Sequence, residues 1–218
     1  MKTINKNRYS WPLVGIHWLT VLLMLAILFS AELRHVLVER GGISMRSVMV
    51  LHIGCGVALL ALTVIRLAVR LLGRRMPPAP GGSRFEHAAA HAVHLAIYAL
   101  LLAEPLIGWI IVNAKGMAIP MPLLGFDLPI LVPRDTELVT RMVMLHEILG
   151  RVFYATVALH GAAALWHHFV KRDGIIYRMW WKTKPQDQRQ VRAPLGGSAN
   201  DARAFLKTSK LEHGRSAA

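Results

Sequence analysis

The sequence predicts an all-α integral membrane protein, an antiparallel four-helix bundle with both termini in the cytoplasm. Three observations lead there. The 218 residues are 54% hydrophobic with a mean hydropathy of +0.41, too apolar for an ordinary soluble domain. The apolar residues gather into four blocks, each long enough to cross roughly 30 Å of hydrocarbon at about 1.5 Å per residue. The net charge of +14 is sorted by membrane side, which is the mark of topology rather than of nucleic-acid binding.

Span one covers residues 12–31, span two 48–72, span three 88–112 and span four 139–170. Span one follows a basic start and could pass for a secretory leader, but Trp11, His17 and Trp18 interrupt the apolar run and it is long for one, so it reads as a retained helix. The breaker cluster MPPAPGGS, from Met76 to Ser83, separates spans two and three. The link between spans three and four carries Pro120, Pro122, Pro129 and Pro133 with Gly116 and Gly125, which argues against regular helix. Its apolar content fits either a cap over the outer end of the bundle or an interfacial loop. The four-span domain is expected over residues 1–181. An interfacial stretch, Ile175 to Trp181, leads into a basic, mobile tail over 182–218. The single cysteine, Cys55, excludes an intramolecular disulfide.

Lys2, Lys6 and Arg8 precede span one; Arg70, Arg74, Arg75 and Arg84 surround the link between spans two and three; Lys171, Arg172 and Arg178 follow span four. A four-span chain puts these regions on one side, and the positive-inside rule makes that side the cytoplasm. The remaining loops carry charges of both signs, including Arg46, Lys115, Arg134 and Arg141.

Histidines at defined depths carry the functional signal. His146 and His160 are fourteen residues apart in span four. On a helix that spacing leaves them about 40° apart around the axis and about 21 Å apart along it. They share a face but occupy two levels. Span one starts inside, so His17 lies at the depth of His160; span two starts outside, so His52 lies at the depth of His146. An unpartnered imidazole in hydrocarbon is costly. Two opposed imidazoles at one level can ligate a flat iron porphyrin axially, and Gly54, Cys55, Gly56, Gly161 and Ala162 keep side-chain bulk low nearby. Helix-to-helix hydrogen bonding or a proton path is the alternative for any one histidine.

His87, His91 and His94 share one face at the start of span three, and His94 competes for the inner site or contacts a propionate. Arg66 and Arg151 are candidate propionate contacts. Glu104 and Glu147 stand isolated among apolar residues, with no partner evident. His35 falls in an outer loop, and His213 in the tail carries no signal. Trp11, Trp18, His167 and His168 give the inner ends of spans one and four the aromatic and polar lining that a quinone would use, or that a membrane belt shows anyway.

The ordered set IHWL around His17, LHIGCG around His52, HAVHLAIY around His94, LHEILG around His146 and LHGAAALWHHF around His160 resembles the bacterial cytochrome b561 family, over about Tyr9 to Met179. The resemblance implies an inner-membrane, multi-pass protein with two haem b groups, with His17 and His160 on the inner iron and His52 and His146 on the outer. It also implies electron exchange with quinone. Single-chain members take electrons from superoxide at the outer face and pass them to ubiquinone, for which Arg46, Lys115, Arg134 and Arg141 would concentrate the anion. Related subunits link a periplasmic dehydrogenase to the quinone pool. A third possibility is a non-haem, proton-coupled membrane protein. Partners are therefore expected to be lipid, ubiquinone, superoxide or a periplasmic redox protein, and not nucleic acid.

Overall fold

A computed structural model describes residues 9–73, 82–121 and 125–180. Four long apolar helices are the architecture: Trp11–Glu32, Met45–Leu72, Arg84–Ala114 and Thr136–Trp166, the last continued by a π-helical turn at His167–Lys171. Each contains its expected span and runs past it by a turn or less to a local stop or start signal. The basic N-terminus, Arg74 and Arg75, most of the Met76–Ser83 link and the tail lie outside the described residues.

The helix ends follow from their cap residues. Pro12 sits in the first turn of span one, where its missing N–H costs no hydrogen bond. The Ser44 hydroxyl accepts from Ser47 N–H at 3.1 Å to start span two. Ser83 and Glu86 form a reciprocal capping box on span three. Asp135 accepts from the N–H groups of Glu137 and Leu138 at 2.9 and 3.0 Å to open span four. Between spans one and two, a short helix at Arg34–Glu39 holds His35 and ends in a turn at Gly42, whose φ of +64° suits glycine.

Contacts between the ends fix the antiparallel arrangement. Ser30, near the end of span one, touches His52, near the start of span two. Asp135 N–H donates to Ala114 C=O at 2.9 Å, joining the start of span four to the end of span three. At the opposite side, Lys171 pairs with Glu86, and the Trp18 indole donates to Met179 C=O at 2.8 Å. Spans pack one on two, two on three and three on four; span four makes no comparable contact with span one or span two. The bundle is therefore open between span four and the first two spans.

At mid-depth, Leu59, Leu100, Leu101 and Phe153 form the buried centre, with Leu23, Met24, Ile27, Ile97, Leu149 and Val157 packed around it. Outward, Leu22, Val50, Leu72, Leu95 and Phe169 are exposed, an apolar surface suited to lipid rather than water. The chain is an integral membrane protein.

The outer link is not regular helix, as its prolines require, but it contains a small hairpin that the prolines did not announce. Pro120–Met121 pairs antiparallel with Phe126–Asp127. The link docks on the end of span three through Asn113, whose side chain is 2% exposed. Asn113 donates to Met117 C=O at 3.0 Å and accepts from Leu131 N–H at 2.9 Å. The Trp109 indole adds a bond to Pro129 C=O at 3.1 Å. Asn113→Ala would remove both partly buried bonds, to Met117 C=O and from Leu131 N–H, a loss of about 1 kcal/mol for each. The expected result is a lower thermal unfolding temperature in detergent and earlier proteolysis within the 115–135 link.

Candidate functional site

The outer pair assembles from all four spans. His52 and His146 face each other across the open side of the bundle with ring centres 6.2 Å apart and planes at 83°. With metal–nitrogen bonds of about 2 Å, two imidazoles sharing one ion place their ring centres roughly 6 Å apart, so this separation fits axial ligation. The second nitrogens have unlike surroundings. The Ser30 hydroxyl donates to Ile27 C=O at 2.8 Å and so keeps a lone pair for His52 Nδ1–H, 3.0 Å away. That arrangement leaves His52 Nε2 bare, as a ligand requires. His146 Nδ1 lies 2.7 Å from Glu104 Oε2. The contact is close but off the line of a hydrogen bond, and both His146 Nδ1 and Glu104 Oε1 are buried without a hydrogen-bond partner. Glu104 is thus not isolated, as its apolar sequence neighbours suggested. Its partner comes from another helix, which no spacing within span three could disclose.

The inner level holds three imidazoles. His160 has its closest ring neighbour in His94, centre to centre 5.2 Å, while His17 lies within electrostatic reach of both. The two neighbours stand differently in the packing. Span three lies directly against span four, and neighbouring helices at about 8–10 Å leave no room for a porphyrin between them. Span one stands across the opening. His17 Nδ1 and Tyr98 Oη are both buried and unpartnered. Arg66 reaches over the Tyr98 ring at 5.6 Å, as does Arg70. A cation, a phenol and His94 beside an orphaned imidazole suit a planar metal complex carrying carboxylates. At Gly15, Gly54, Gly56 and Gly161, an added Cβ would meet nothing within 4 Å. Among the described residues no group of three or more His, Cys, Asp and Glu side chains could hold a bare metal ion, so paired imidazoles are the donor set on offer.

The other candidates are placed as follows. Arg46, Lys115, Arg134 and Arg141 are all exposed around the outer ends of the spans, but Arg141 is paired with Glu137, which offsets its charge. Arg151 is exposed on span four. At the inner end, Trp18 lies 5.7 Å from His17 and 5.2 Å from Trp180, whereas Trp11 is 65% exposed. His168 packs on Phe169 and Tyr177. Beyond the π turn, Arg172 and Gly174 take left-handed backbone angles and reverse the chain into a 3-10 helix at Ile175–Met179. That helix returns to Trp18, a contact the composition of this stretch did not predict.

The reversal is held by Asp173, which accepts from His167 Nδ1 at 2.5 Å and from Ile175 N–H at 3.1 Å. Partial burial is the largest single influence and pushes the Asp173 carboxyl up, but the hydrogen bonds from His167 and Ile175 together with the nearby His167 and Lys171 outweigh it and hold the group below its ordinary value of 3.8. A depressed carboxyl stabilises the fold above its unfolded value, and that contribution disappears as the pH falls through the folded one. Tryptophan fluorescence should therefore stay constant from neutral pH to about 5 and change only below 3.8. Asp173→Asn should show the acid spectrum already at neutral pH.

The profile of the prokaryotic cytochrome b561 family matches residues 8–182. Among curated proteins, a probable superoxide oxidase CybB of Yersinia pestis is 32% identical over 182 residues, covering 82% of this chain and 98% of that protein. Two proteins of Escherichia coli K12 are also similar. Cytochrome b561 homolog 1 is 26% identical over 82% of this chain and 99% of its own length, and homolog 2 is 29% identical over 83% and 95%.

Proposed function

Because the chain belongs to the prokaryotic cytochrome b561 family, whose members bind haem b and carry electrons across a membrane, we propose that it holds two haem b groups and transfers electrons from superoxide at the periplasmic face to ubiquinone. The observation that carries the reading is the pairing of His52 with His146 at 6.2 Å, with a second cluster of imidazoles around His160 on the same continuous helix, about 21 Å away. His52 and His146 would hold the outer iron, and His17 and His160 the inner one. Each haem, when bound, supplies a one-electron couple, and two histidine ligands leave no open iron position, which favours outer-sphere transfer.

The chain's own residues do the rest. His94, Arg66 and Tyr98 line the inner site where carboxylates would lie. Arg46, Lys115 and Arg134 raise the local concentration of a small anion at the outer end; the positive-inside rule makes that end periplasmic in a bacterial inner membrane. Trp18, with Trp11, His167 and His168, forms the inner face where quinone would meet the chain. The overall balance is two superoxide anions, one ubiquinone and two protons giving two dioxygen molecules and one ubiquinol. The name of the Yersinia pestis relative supports superoxide as the donor.

The test is haem quantification and a redox titration of the purified protein, followed by superoxide and then ubiquinone in the same cuvette. Two haems per chain and fast reduction by superoxide are expected. His52→Ala or His146→Ala should halve the haem content and remove one spectral component; His17→Ala or His160→Ala should remove the other. Absence of a Soret band defeats the reading altogether. Haem without superoxide reduction would make the chain an electron-transfer subunit for a periplasmic dehydrogenase instead.

A further inference from the structure

Glu104 is the most deeply buried carboxylate among the described residues, 8% exposed in the middle of an apolar helix, and the proposed reaction gives it no part. It precedes Pro105, which removes one backbone donor from the helix at that point. Its Oε2 is 2.7 Å from His146 Nδ1, and its Oε1 is buried with no partner. Glycines one turn along each helix flank the contact. A Cβ at Gly108 would stand 3.8 Å from His146 Cε1, and one at Gly150 would stand 4.0 Å from Glu104 Oε2. Glu104 and Gly108 on span three therefore mesh with His146 and Gly150 on span four, each pair at the i, i+4 spacing of one helix face.

The two outer imidazoles consequently have unlike supports. His52 Nδ1 meets a neutral hydroxyl whose own hydrogen is already committed to a backbone carbonyl. His146 Nδ1 meets a carboxylate. An imidazole whose second nitrogen donates to a carboxylate is a more basic ligand, and a more basic ligand stabilises the oxidised metal.

On the reading that His52 and His146 hold an outer haem, we infer that Glu104 is the positioning residue for His146. Its carboxylate accepts a hydrogen bond from Nδ1–H, orients Nε2 toward His52 and lowers the reduction potential of the outer site relative to the inner one. The 2.7 Å separation is within hydrogen-bond range, and a small turn of the His146 ring would bring Nδ1–H onto the line that it now misses.

The experiment is a potentiometric titration and low-temperature EPR of the purified, haem-loaded protein and its Glu104→Gln, Glu104→Asp and Ser30→Ala variants. Glu104→Gln keeps the shape and the amide's hydrogen-bonding capacity but removes the charge. It should raise the potential of one haem by roughly the equivalent of a tenfold change in its reduction equilibrium, about 59 mV for one electron. The low-spin EPR signal of the same haem should shift, and the other haem should keep both its potential and its signal. Glu104→Asp should stay near the parent, and Ser30→Ala should shift the same haem by less. Loss of that haem from Glu104→Gln alone, with Glu104→Asp retaining it, also supports the inference, since only the carboxylate distinguishes them. Equal shifts at both haems, no shift at either, or loss of the haem from Glu104→Asp as well as Glu104→Gln would overturn it. A parent protein that binds no haem would instead overturn the underlying function.

Discussion

An imidazole carried into hydrocarbon has two nitrogens to satisfy and no water to do it, and an unsatisfied polar group there costs several kcal/mol. The bundle brings polar neighbours to the histidines from different helices, and leaves His17 Nδ1 and His146 Nδ1 buried without a hydrogen-bond partner in the protein. At the outer level His52 and His146 come from spans two and four, while the groups at their second nitrogens, Ser30 and Glu104, come from spans one and three. At the inner level His17, Arg66, His94 with Tyr98, and His160 come from spans one, two, three and four in turn. Each site therefore needs every span. A displaced helix would separate these groups at both depths, so the sites and the arrangement of the bundle depend on each other.

Packing divides the two levels from each other. Phe153 lies seven residues from His146 and seven from His160, a spacing that returns it to within about 20° of their face. It is 5% exposed and packs with Leu59, Leu100 and Leu101. These side chains form an apolar partition midway along the bundle. In a membrane such packing stabilises by close contact rather than by exclusion of water, because the outer faces of the helices are equally apolar. The partition is an apolar layer between the two groups of histidines.

Much of this was legible in the sequence because membrane spans and helix period are strong signals. The four blocks gave the helices, and the fourteen-residue interval gave two levels on one face. Charge sorting predicted an antiparallel chain that the end-to-end contacts of Ser30, Asp135 and Lys171 display. What the sequence withheld depended on neighbours across helices. Glu104 sits in an apolar run, and nothing within span three indicates that His146 stands against it. His94 and His17 have similar depths, and nothing within either span indicates that His94 is the ring set against His160. The return of Ile175–Met179 to Trp18 turns on left-handed angles at Arg172 and Gly174, and arginine there carries no such signal.

The charges fixed in the two levels also give the assembly a direction on the proposed reading. At the outer site the protein places a carboxylate against a ligand, which favours the oxidised state of whatever the histidines hold. At the inner site it places Arg66 and Arg70 near the aromatic and imidazole groups, and guanidinium groups remain positive at any physiological pH. Positive charge favours the reduced state. Both protein contributions therefore make an electron more stable at the inner level than at the outer one, and the apolar partition limits screening between them. A donor as reducing as superoxide can supply an outer site of low potential, so the carboxylate does not block entry. It makes the following transfer, from the level of His146 to the level of His160, the downhill one.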